Sequence, residues 1–401
     1  MNKKLKPFLN LSIRLGAQAV RLFFLIYIIK ILDSDEYAEF GICYALIMFF
    51  VLLSGGEFHV FMNRTIARGK TANVISHLKN HCKKILPYLL ISLITLSLIL
   101  LYSNFENISI LLILLLIEYV SQELSRLFIS LNEQLVSSLI LFLRTASWVP
   151  VSLFLSLNGL VDDNLLTIYT CWLAGSVSSA IFGGYLLKKK ISNTSSKQEI
   201  DGSSFANYKQ SFQFLTLALI TQAIQTFDRM IVNFVAGSDF ASAYIFFFTI
   251  TSAISSVFVP LISNFFQPLL IKIHGSNEYS RQFKKMAFWG SLVIFLVSVS
   301  LLASIKEIIS LANKGYLLDF LEVFHLILFI AILKQFVAIF HIKALAEHRD
   351  WDLKMGVWIP ALPLTFLWLI SVWTGQVFLV FVAIIIYLLI STLYKSGILN
   401  D

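Results

Sequence analysis

The sequence predicts an all-α polytopic membrane protein, with about twelve transmembrane helices arranged as two six-helix bundles. Hydrophobic residues make up 58% of the 401 residues and charged residues only 13%, a balance that excludes a water-soluble fold. The apolar residues form runs of about 20 residues, the length at which a helix crosses a bilayer. Lysine and arginine concentrate in every second loop between these runs, as the positive-inside rule predicts for a multi-pass protein.

Each predicted span is an apolar run with polar residues at both ends. In chain order the runs cover 8–32, 39–62, 85–104, 107–131, 136–158, 165–187, 210–236, 240–265, 286–306, 317–343, 354–374 and 376–395. Spans of this length occupy most of the chain, so no sizeable extramembrane catalytic domain fits between them.

The first run is a retained span rather than a signal peptide. Lys3, Lys4 and Lys6 precede it, but Arg14 and Arg21 interrupt its apolar stretch, and no small-residue cleavage site follows. A secretory signal peptide needs an uninterrupted apolar core and such a cleavage site. We therefore count this run as the first transmembrane helix.

Loop charge sets the predicted orientation. The odd-numbered loops carry the acidic residues Asp33, Asp35, Glu36, Glu106, Asp162, Asp163 and Asp239, and their only lysines are Lys306 and Lys314. The even-numbered loops carry Arg64, Arg68, Lys70, Lys79, Lys83, Lys84, Lys188, Lys189, Lys190, Lys197, Lys209, Lys272, Arg281, Lys284, Lys285, Lys343, Arg349 and Lys354. Only the short loop 132–135 lacks this basic excess. The charge pattern predicts that both termini are cytoplasmic.

The net charge of +8 follows from these cytoplasmic loops. It does not indicate nucleic-acid binding, which needs basic residues clustered on one soluble face. The loop segments 64–84 and 272–285 interleave basic with apolar residues. Such segments can lie against anionic membrane lipids at the inner surface, although orientation alone would also explain their charge.

A polar interval divides the chain into an N-terminal bundle at 1–187, a cytoplasmic linker at 188–209 and a C-terminal bundle at 210–401. A Ser-Asp-x-x-small-x-aromatic pattern occurs at 34–40 and again at 238–244. The pair Lys83-Lys84 has a counterpart at Lys284-Lys285, at nearly the same offset. With six spans in each half, a duplication would give a parallel repeat about an axis along the membrane normal. Chance alignment of apolar sequence stays open as the alternative.

Several charged residues fall inside the predicted spans, where each costs about 2.5–3.5 kcal/mol on insertion scales. Such residues normally face a bundle interior or a wet cavity. Guanidinium and ammonium groups suit phosphate or carboxylate groups, and neighbouring glutamines could meet sugar hydroxyls or pack between helices. The predicted substrate-binding residues are Arg21, Arg144, Arg229, Lys334, Gln222 and Gln225.

Carboxylates within the spans have two open interpretations: coupling of an ion to transport, or a structural ion pair. The residues concerned are Asp228, Glu118, Glu123 and Arg126. Glu123 and Arg126 lie three residues apart on one helical face, where a local ion pair can form. Asp228 and Arg229 are adjacent and point about 100° apart, so at least one faces another helix or a pore.

Signals of catalysis are nearly absent. The seven histidines show no metal-ligand spacing, and no glycine-rich nucleotide loop occurs, so we predict no metal, no cofactor and no enzyme activity. The three cysteines, Cys43, Cys82 and Cys171, lie far apart and indicate no disulfide framework.

Short motifs along the chain resemble a known family. Residues 32–40, Leu-Asp-Ser-Asp-Glu-Tyr-Ala-Glu-Phe, are similar to that family's leucine, acidic turn and Glu-Tyr-Gly-x-Phe pattern. The glycines at 55–56 and the Arg-Thr-Ile-Ala sequence at 64–67 look like its Arg-x-x-Ala ending. Asp228-Arg229 and Tyr244 look like its Asp-Arg and Gly-x-Tyr pattern. The chain thus resembles the polysaccharide-exporter branch of the multidrug/oligosaccharidyl-lipid/polysaccharide flippase superfamily, most closely the Wzx-type O-antigen flippases.

The resemblance spans essentially the whole chain, with Ala38 and Ser242 where the family usually has glycine. It implies two six-helix bundles around a cationic cavity in a bacterial inner membrane. It also implies export of an undecaprenyl-diphosphate-linked oligosaccharide, such as an O-antigen repeat unit, to the periplasmic leaflet by alternating access. Polymerase and chain-length proteins of the same pathway are its implied partners.

Two alternatives stay open beside this flippase hypothesis. A drug/cation antiporter of the same superfamily would have acids in excess within its cavity, whereas cations outnumber acids in these spans. A membrane repeat-unit polymerase would resemble proteins with a large external loop, and the predicted external loops here are short.

Overall fold

The computed structural model describes residues 5–56, 74–131, 133–162, 164–192 and 208–398. Within these ranges the chain is helical apart from short connections, and no strand occurs in them. The predicted all-α fold is confirmed. The basic residues Arg64, Arg68 and Lys70 and most of the predicted linker lie outside the described residues.

In the described residues, seven helices precede the predicted linker. They are α1 (Leu5–Ile31), α2 (Ser34–Gly55), α3 (Val74–Tyr102), α4 (Ile108–Ser130), α5 (Gln134–Thr145), α6 (Trp148–Leu157) and α7 (Leu165–Ser192). Six more follow it. They are α8 (Tyr208–Phe258), α9 (Asn264–Ile273), α10 (Glu278–Ala312), α11 (Leu321–Ala346), α12 (Asp350–Thr374) and α13 (Phe378–Ser396). A π-helical turn, Val259–Ser263, joins α8 to α9, and a 3-10 turn, Gly315–Phe320, precedes α11.

Helix α2 begins five residues before its predicted start at 39. Asp33 caps it: the Glu36 backbone N–H donates to Asp33 Oδ1 at 2.8 Å, and the Tyr37 N–H donates to the Asp33 carbonyl at 3.0 Å. An aspartate at this position satisfies an N–H that the helix itself leaves unpaired. Asp35 and Glu36 then lie in the first turn, where negative charge is favourable. The acidic segment is therefore the start of α2 rather than a loop.

Eleven helical runs in the described residues are long and apolar enough to cross a membrane, against twelve predicted spans. One of them, Leu215–Ile273, is 59 residues long. A helix of that length would extend about 88 Å, roughly three times the bilayer's hydrocarbon thickness. This run contains both the predicted seventh and eighth spans, which accounts for the difference in number.

The two spans within α8 are separated at Gly237, whose φ of 80° and ψ of 175° are not helical. Tyr244 Oη donates to Asp228 Oδ2 at 2.6 Å across sixteen residues. That contact requires the chain to reverse at Gly237. We call residues 208–235 the first arm of α8 and residues 238–258 the second arm.

The predicted fifth span is also interrupted. Helix α5 ends at Thr145, α6 begins at Trp148, and Ala146 between them has φ −132° and ψ −30°. Residues Gln134–Leu157 nevertheless form one candidate span. The interruption therefore lies within a membrane crossing.

The chain forms two compact units. Unit 1 consists of the described residues within Met1–Arg21 and Cys43–Gln222, and unit 2 of those within Leu22–Ile42 and Ala223–Asp401. Helices α1, α2 and α8 thus each have residues in both units. In unit 1, α7 packs against α4, α5 and α6. In unit 2, α13 packs against α11 and α12.

Candidate functional site

The candidate residues fall into a cluster in unit 1 and a cluster in unit 2. In unit 1, Glu118 projects from α4 and is only 1% exposed. Its Oε1 accepts hydrogen bonds from Trp172 Nε1 and Ser176 Oγ of α7, both at 2.7 Å. Arg144, from the last turn of α5, places Nε 3.4 Å from Glu118 Oε2. A buried carboxylate needs such donors and a counter-charge to remain ionised.

Arg21 lies in the same unit and reaches this cluster through aromatic rings. Its guanidinium carbon lies 4.8 Å from the centroid of the Tyr44 ring. Tyr44 stacks on Trp172 with centroids 5.3 Å apart, and Trp172 stacks on Trp148 at 6.4 Å. A cation over an aromatic face is attracted by the ring's quadrupole. Arg21 is thus placed at the end of an aromatic stack that leads to Glu118.

Glu123 and Arg126 form a separate ion pair along α4. Arg126 Nη1 donates to Glu123 Oε1 at 2.8 Å. The spacing of three residues places both on one face of the helix, as the sequence predicts. Glu118 and Glu123 therefore have different partners, one on a neighbouring helix and one on α4 itself.

In unit 2, Asp228 lies on the first arm of α8 and is 2% exposed. Its Oδ2 accepts the hydrogen bond from Tyr244, and its Oδ1 accepts one from the Arg229 backbone N–H at 2.7 Å. Both carboxylate oxygens are thereby hydrogen-bonded within unit 2. This satisfies the rule that a buried charge requires polar partners.

Arg229 points away from Asp228 toward α2. Its Nη1 donates to the Gly41 carbonyl at 3.1 Å, and its guanidinium carbon lies 4.7 Å from the centroid of Phe248. Gly41 is required there, because a Cβ at this position would lie 2.6 Å from the side chain of Ile245. Arg229 thus bridges both arms of α8 to the first part of α2.

Lys334 of α11 completes the cluster. Its Nζ donates to Gln225 Oε1 at 2.7 Å and lies 6.0 Å from the Phe248 centroid. Gln222, half-buried, lies three residues before Gln225 on the first arm. The unit 2 cluster therefore contains two cations, Arg229 and Lys334, and one carboxylate, Asp228.

Among the residues named above, both clusters hold one cation more than carboxylates. In unit 1, Arg144 has Glu118 as its counter-ion and Arg126 has Glu123, while Arg21 lies over the Tyr44 ring. In the unit 2 cluster, Asp228 is accompanied by Arg229 and Lys334, so one positive charge is in excess there as well. Such an excess favours binding of an oxyanion, since each cation retains N–H donors.

Sequence reasoning did not identify the residues that hold these charges. No sequence feature distinguishes Trp172 and Ser176 in unit 1, or Phe248 in unit 2, from the other apolar or small residues of the predicted spans. Tyr244 is the exception, because it ends the repeated Ser-Asp-x-x-small-x-aromatic pattern. A buried carboxylate in a span does require donors nearby, but a single sequence does not show which helix supplies them.

No group of three or more histidine, cysteine, aspartate or glutamate side chains comes together anywhere in the described part of the chain. Cys43 and Cys171 are buried, Cys82 is exposed, and no disulfide joins them. The clusters contain mainly donors, which leaves few oxygen ligands for a metal ion.

Comparison with solved structures identifies the fold. An inward-facing multidrug resistance MATE family transporter of the MOP superfamily superimposes with a TM-score of 0.66 at 12% identity, over 98% of this chain and 99% of that chain. MATE in the straight conformation gives a TM-score of 0.61 at 12% identity, over 98% and 95% of the two chains. The chain has the MATE fold.

A third solved structure with this fold is a MOP superfamily transporter from Pyrococcus furiosus, whose binding pocket of reversed polarity suggests a different function for that protein. It has a TM-score of 0.59 and 12% identity, over 98% of this chain and 95% of that one. No family model matches the sequence, and no curated protein does. With its membrane-spanning helices, the MATE fold makes this chain a multi-pass membrane protein.

Proposed function

We propose that this chain is a membrane transporter that moves an amphiphilic solute by alternating access. The observation that carries the proposal is the MATE fold, which extends over 98% of the chain. Two clusters of buried charged residues support it, because ionisable groups inside spans commonly mark the path of a solute or ion. Catalysis is not part of the proposal.

The first candidate solute is a drug or organic cation, exchanged for an ion. The similarity to a multidrug resistance MATE transporter favours this class. Asp228, with Glu118 in unit 1, supplies a buried carboxylate to which an ion can couple. The rings of Tyr44 and Phe248 are the kind of surface that attracts cations, although Arg21 and Arg229 lie against them here.

The second candidate is a lipid-linked oligosaccharide with an undecaprenyl diphosphate carrier, moved from the inner to the outer leaflet of a bacterial inner membrane. One specific observation favours it: Arg229 and Lys334 outnumber Asp228 in the unit 2 cluster. Arg229 and Lys334 would contact the diphosphate or an acidic sugar, while Gln225 would meet sugar hydroxyls. Polymerase and chain-length proteins would be its partners.

Reconstitution in liposomes separates the two candidates. Ethidium movement driven by a pH or sodium gradient reports an organic-cation antiporter. Lipid flipping is measured by a change in the fraction of an NBD-labelled undecaprenyl-diphosphate sugar that external dithionite reduces. The Asp228→Asn protein should stop the first activity, and the Arg229→Gln protein the second. Rates equal to those of empty liposomes for both probes would contradict transport of either class.

Lys306→Gln is the matched control for the charge substitutions. Lys306 is an exposed lysine on α10 and belongs to neither cluster. Its replacement removes one positive charge from the same unit without touching Phe248 or Gln225. A loss of activity in this control equal to that in Arg229→Gln would assign the effect to net charge rather than to the cluster.

A further inference from the structure

The interruption between α5 and α6 lies inside a membrane crossing, where free carbonyl groups have no water to bind. Breaking a helix normally leaves such carbonyls unpaired. Here the Phe142 carbonyl accepts hydrogen bonds from both the Ala146 and Ser147 backbone N–H groups, at 2.9 and 3.0 Å. The break is therefore stabilised locally.

Side chains satisfy the neighbouring carbonyls. Thr145 Oγ1 donates to the Leu141 carbonyl at 2.8 Å, and Ser147 Oγ donates to the Leu143 carbonyl at 2.7 Å. Trp148 Nε1 donates to the Arg144 carbonyl at 3.1 Å. Because these carbonyls are occupied, and Arg144 lies beside them, the break does not offer a cation the free carbonyl ligands found at other broken helices.

The residues on either side of the break are held against different helices. Before it, the Arg144 side chain is placed against Glu118 of α4. After it, the Trp148 side chain packs so closely on α7 that a Cβ at Gly175 would lie 2.5 Å from its ring. Trp172 stacks on Trp148 and also donates to Glu118. Glu118 thus connects both sides of the break.

The contact between Glu118 and Arg144 is looser than its burial would suggest. Arg144 Nε and Glu118 Oε2 are 3.4 Å apart, whereas Arg126 Nη1 and Glu123 Oε1 are 2.8 Å apart. Glu118 Oε2 and Arg144 Nε and Nη1 are buried without a hydrogen-bond partner. Charge attraction rather than hydrogen bonding holds the pair, so loss of either charge removes most of what keeps it together.

We propose that the Glu118–Arg144 ion pair holds α5 against α4 and so prevents unit 1 from opening at the break between α5 and α6. We call this ion pair the latch. Neutralising Glu118 leaves Arg144 as an uncompensated buried charge, which can be relieved only by moving α5 away from α4. The break, with its locally satisfied backbone, is the place where α5 can bend without unpairing carbonyls. This inference goes beyond the proposed function and does not depend on the solute.

Cysteine alkylation tests the latch without any transport assay. Ala146, fully buried at the break, is replaced by cysteine in the full-length protein after Cys43, Cys82 and Cys171 have been replaced by alanine. The rate of labelling by a maleimide is then measured in membranes. The Glu118→Gln substitution should raise this rate by about tenfold or more, since a buried pair is strongly destabilised when one partner is removed.

Glu123→Gln is the matched control, because it neutralises a glutamate of the same helix whose ion-pair partner, Arg126, also lies on α4. It should leave the labelling rate unchanged. Arg144→Lys, which keeps the charge but replaces the guanidinium by a single ammonium group and so weakens the contact with Glu118, should give an intermediate rate. It also serves as the second variant if Glu118→Gln fails to elute as a single species in gel filtration.

Two results would overturn the latch. One is a labelling rate in Glu118→Gln and Arg144→Lys that stays within about twofold of the parent, which would show that the break does not open when the pair is weakened. The other is an equal increase in Glu123→Gln, which would show general loosening of α4. Neither result bears on transport, so failure of the latch is distinguishable from failure of the proposed function.

Discussion

Tyr244 donates a hydrogen bond to Asp228 at 2.6 Å, although sixteen residues separate them along α8. In an unbroken helix the two would lie about 24 Å apart. The reversal at Gly237 brings the two arms side by side and places the hydroxyl against a carboxylate that is 2% exposed. The same contact therefore holds the helical hairpin together and satisfies the buried charge of the unit 2 cluster.

Replacing Tyr244 with phenylalanine should destabilise the protein. The Tyr244→Phe variant keeps the ring but leaves Asp228 Oδ2 without its donor, at a cost of about 1–3 kcal/mol. A lower midpoint of thermal unfolding in detergent measures the effect. Tyr102→Phe is the control, because Tyr102 is 91% exposed. In the Asp228→Asn background, the same substitution should cost less, and an unchanged cost there would contradict the contact's role.

The turn between the arms depends on Gly237. Its φ of 80° and ψ of 175° lie in a region that is essentially restricted to glycine. Gly237→Ala should therefore cost about 1–3 kcal/mol, although nothing lies within 4 Å of the added Cβ. The unfolding midpoint should fall, and a midpoint equal to that of the parent would exclude strain at this turn.

Gly184→Ala is a control that should not lower the unfolding midpoint. Gly184 also has nothing within 4 Å of an added Cβ, but it lies inside the helix α7. Alanine is favoured over glycine in a helix interior by about 1 kcal/mol. The control should leave the midpoint unchanged or raise it, which separates backbone strain from a general effect of adding a methyl group.

Sequence reasoning predicted the spans because apolar length is a local property. The predicted start of the second span, at 39, is five residues late because Asp33 caps α2 and draws the acidic residues into its first turn. Helix α10, Glu278–Ala312, extends beyond the predicted span 286–306 at both ends. The hairpin at Gly237 fits the predicted seventh and eighth spans, since a short loop between two apolar runs requires a turn.

The charged clusters were only partly predictable. Burial of Glu118 and Asp228 followed from their place in apolar runs, and the Glu123–Arg126 pair followed from helical spacing. Glu118 and Arg144 lie 26 residues apart in sequence, on α4 and α5, and they pair beside a break that hydrophobicity does not reveal. Contacts of this kind depend on how helices pack, which a single sequence does not encode in any local pattern.

Close packing of Gly41 on Ile245 is a further testable feature. A Cβ at position 41 would lie 2.6 Å from Ile245 Cγ2, and Ile245 is only 2% exposed. Gly41→Ala should therefore destabilise the protein by about 1–3 kcal/mol, the usual cost of overpacking a tight core. Thermal unfolding in detergent measures this loss.

Two further variants establish the cause. Gly16→Ala adds a methyl group to α1 where nothing lies within 4 Å, and it should not lower the unfolding midpoint. The double variant Gly41→Ala/Ile245→Ala should lose less stability than the sum of the two single losses, because the smaller side chain at position 245 leaves room for the methyl group at position 41. Full additivity would show that the alanine at position 41 does not collide with Ile245.

Removal of the Lys334 charge should discriminate between the two candidate solutes. Lys334→Gln leaves Arg229 over the Phe248 ring and makes the numbers of cations and carboxylates in the unit 2 cluster equal. Transport of a diphosphate-linked lipid should fall by about tenfold to a hundredfold, because one charge-assisted contact contributes roughly 1.5–3 kcal/mol. Ethidium transport should be unchanged or faster, since a repulsive cation has been removed.

Liposome assays with both probes measure the two rates in the same preparation, with Lys306→Gln as the control of equal charge. A loss of lipid transport of this size, restricted to Lys334→Gln, would support the oxyanion site in unit 2. If only ethidium transport falls, the cluster serves an organic-cation antiporter, and Lys334 positions Gln225 through their 2.7 Å contact. Unchanged rates for both probes would remove Lys334 from the proposed solute path.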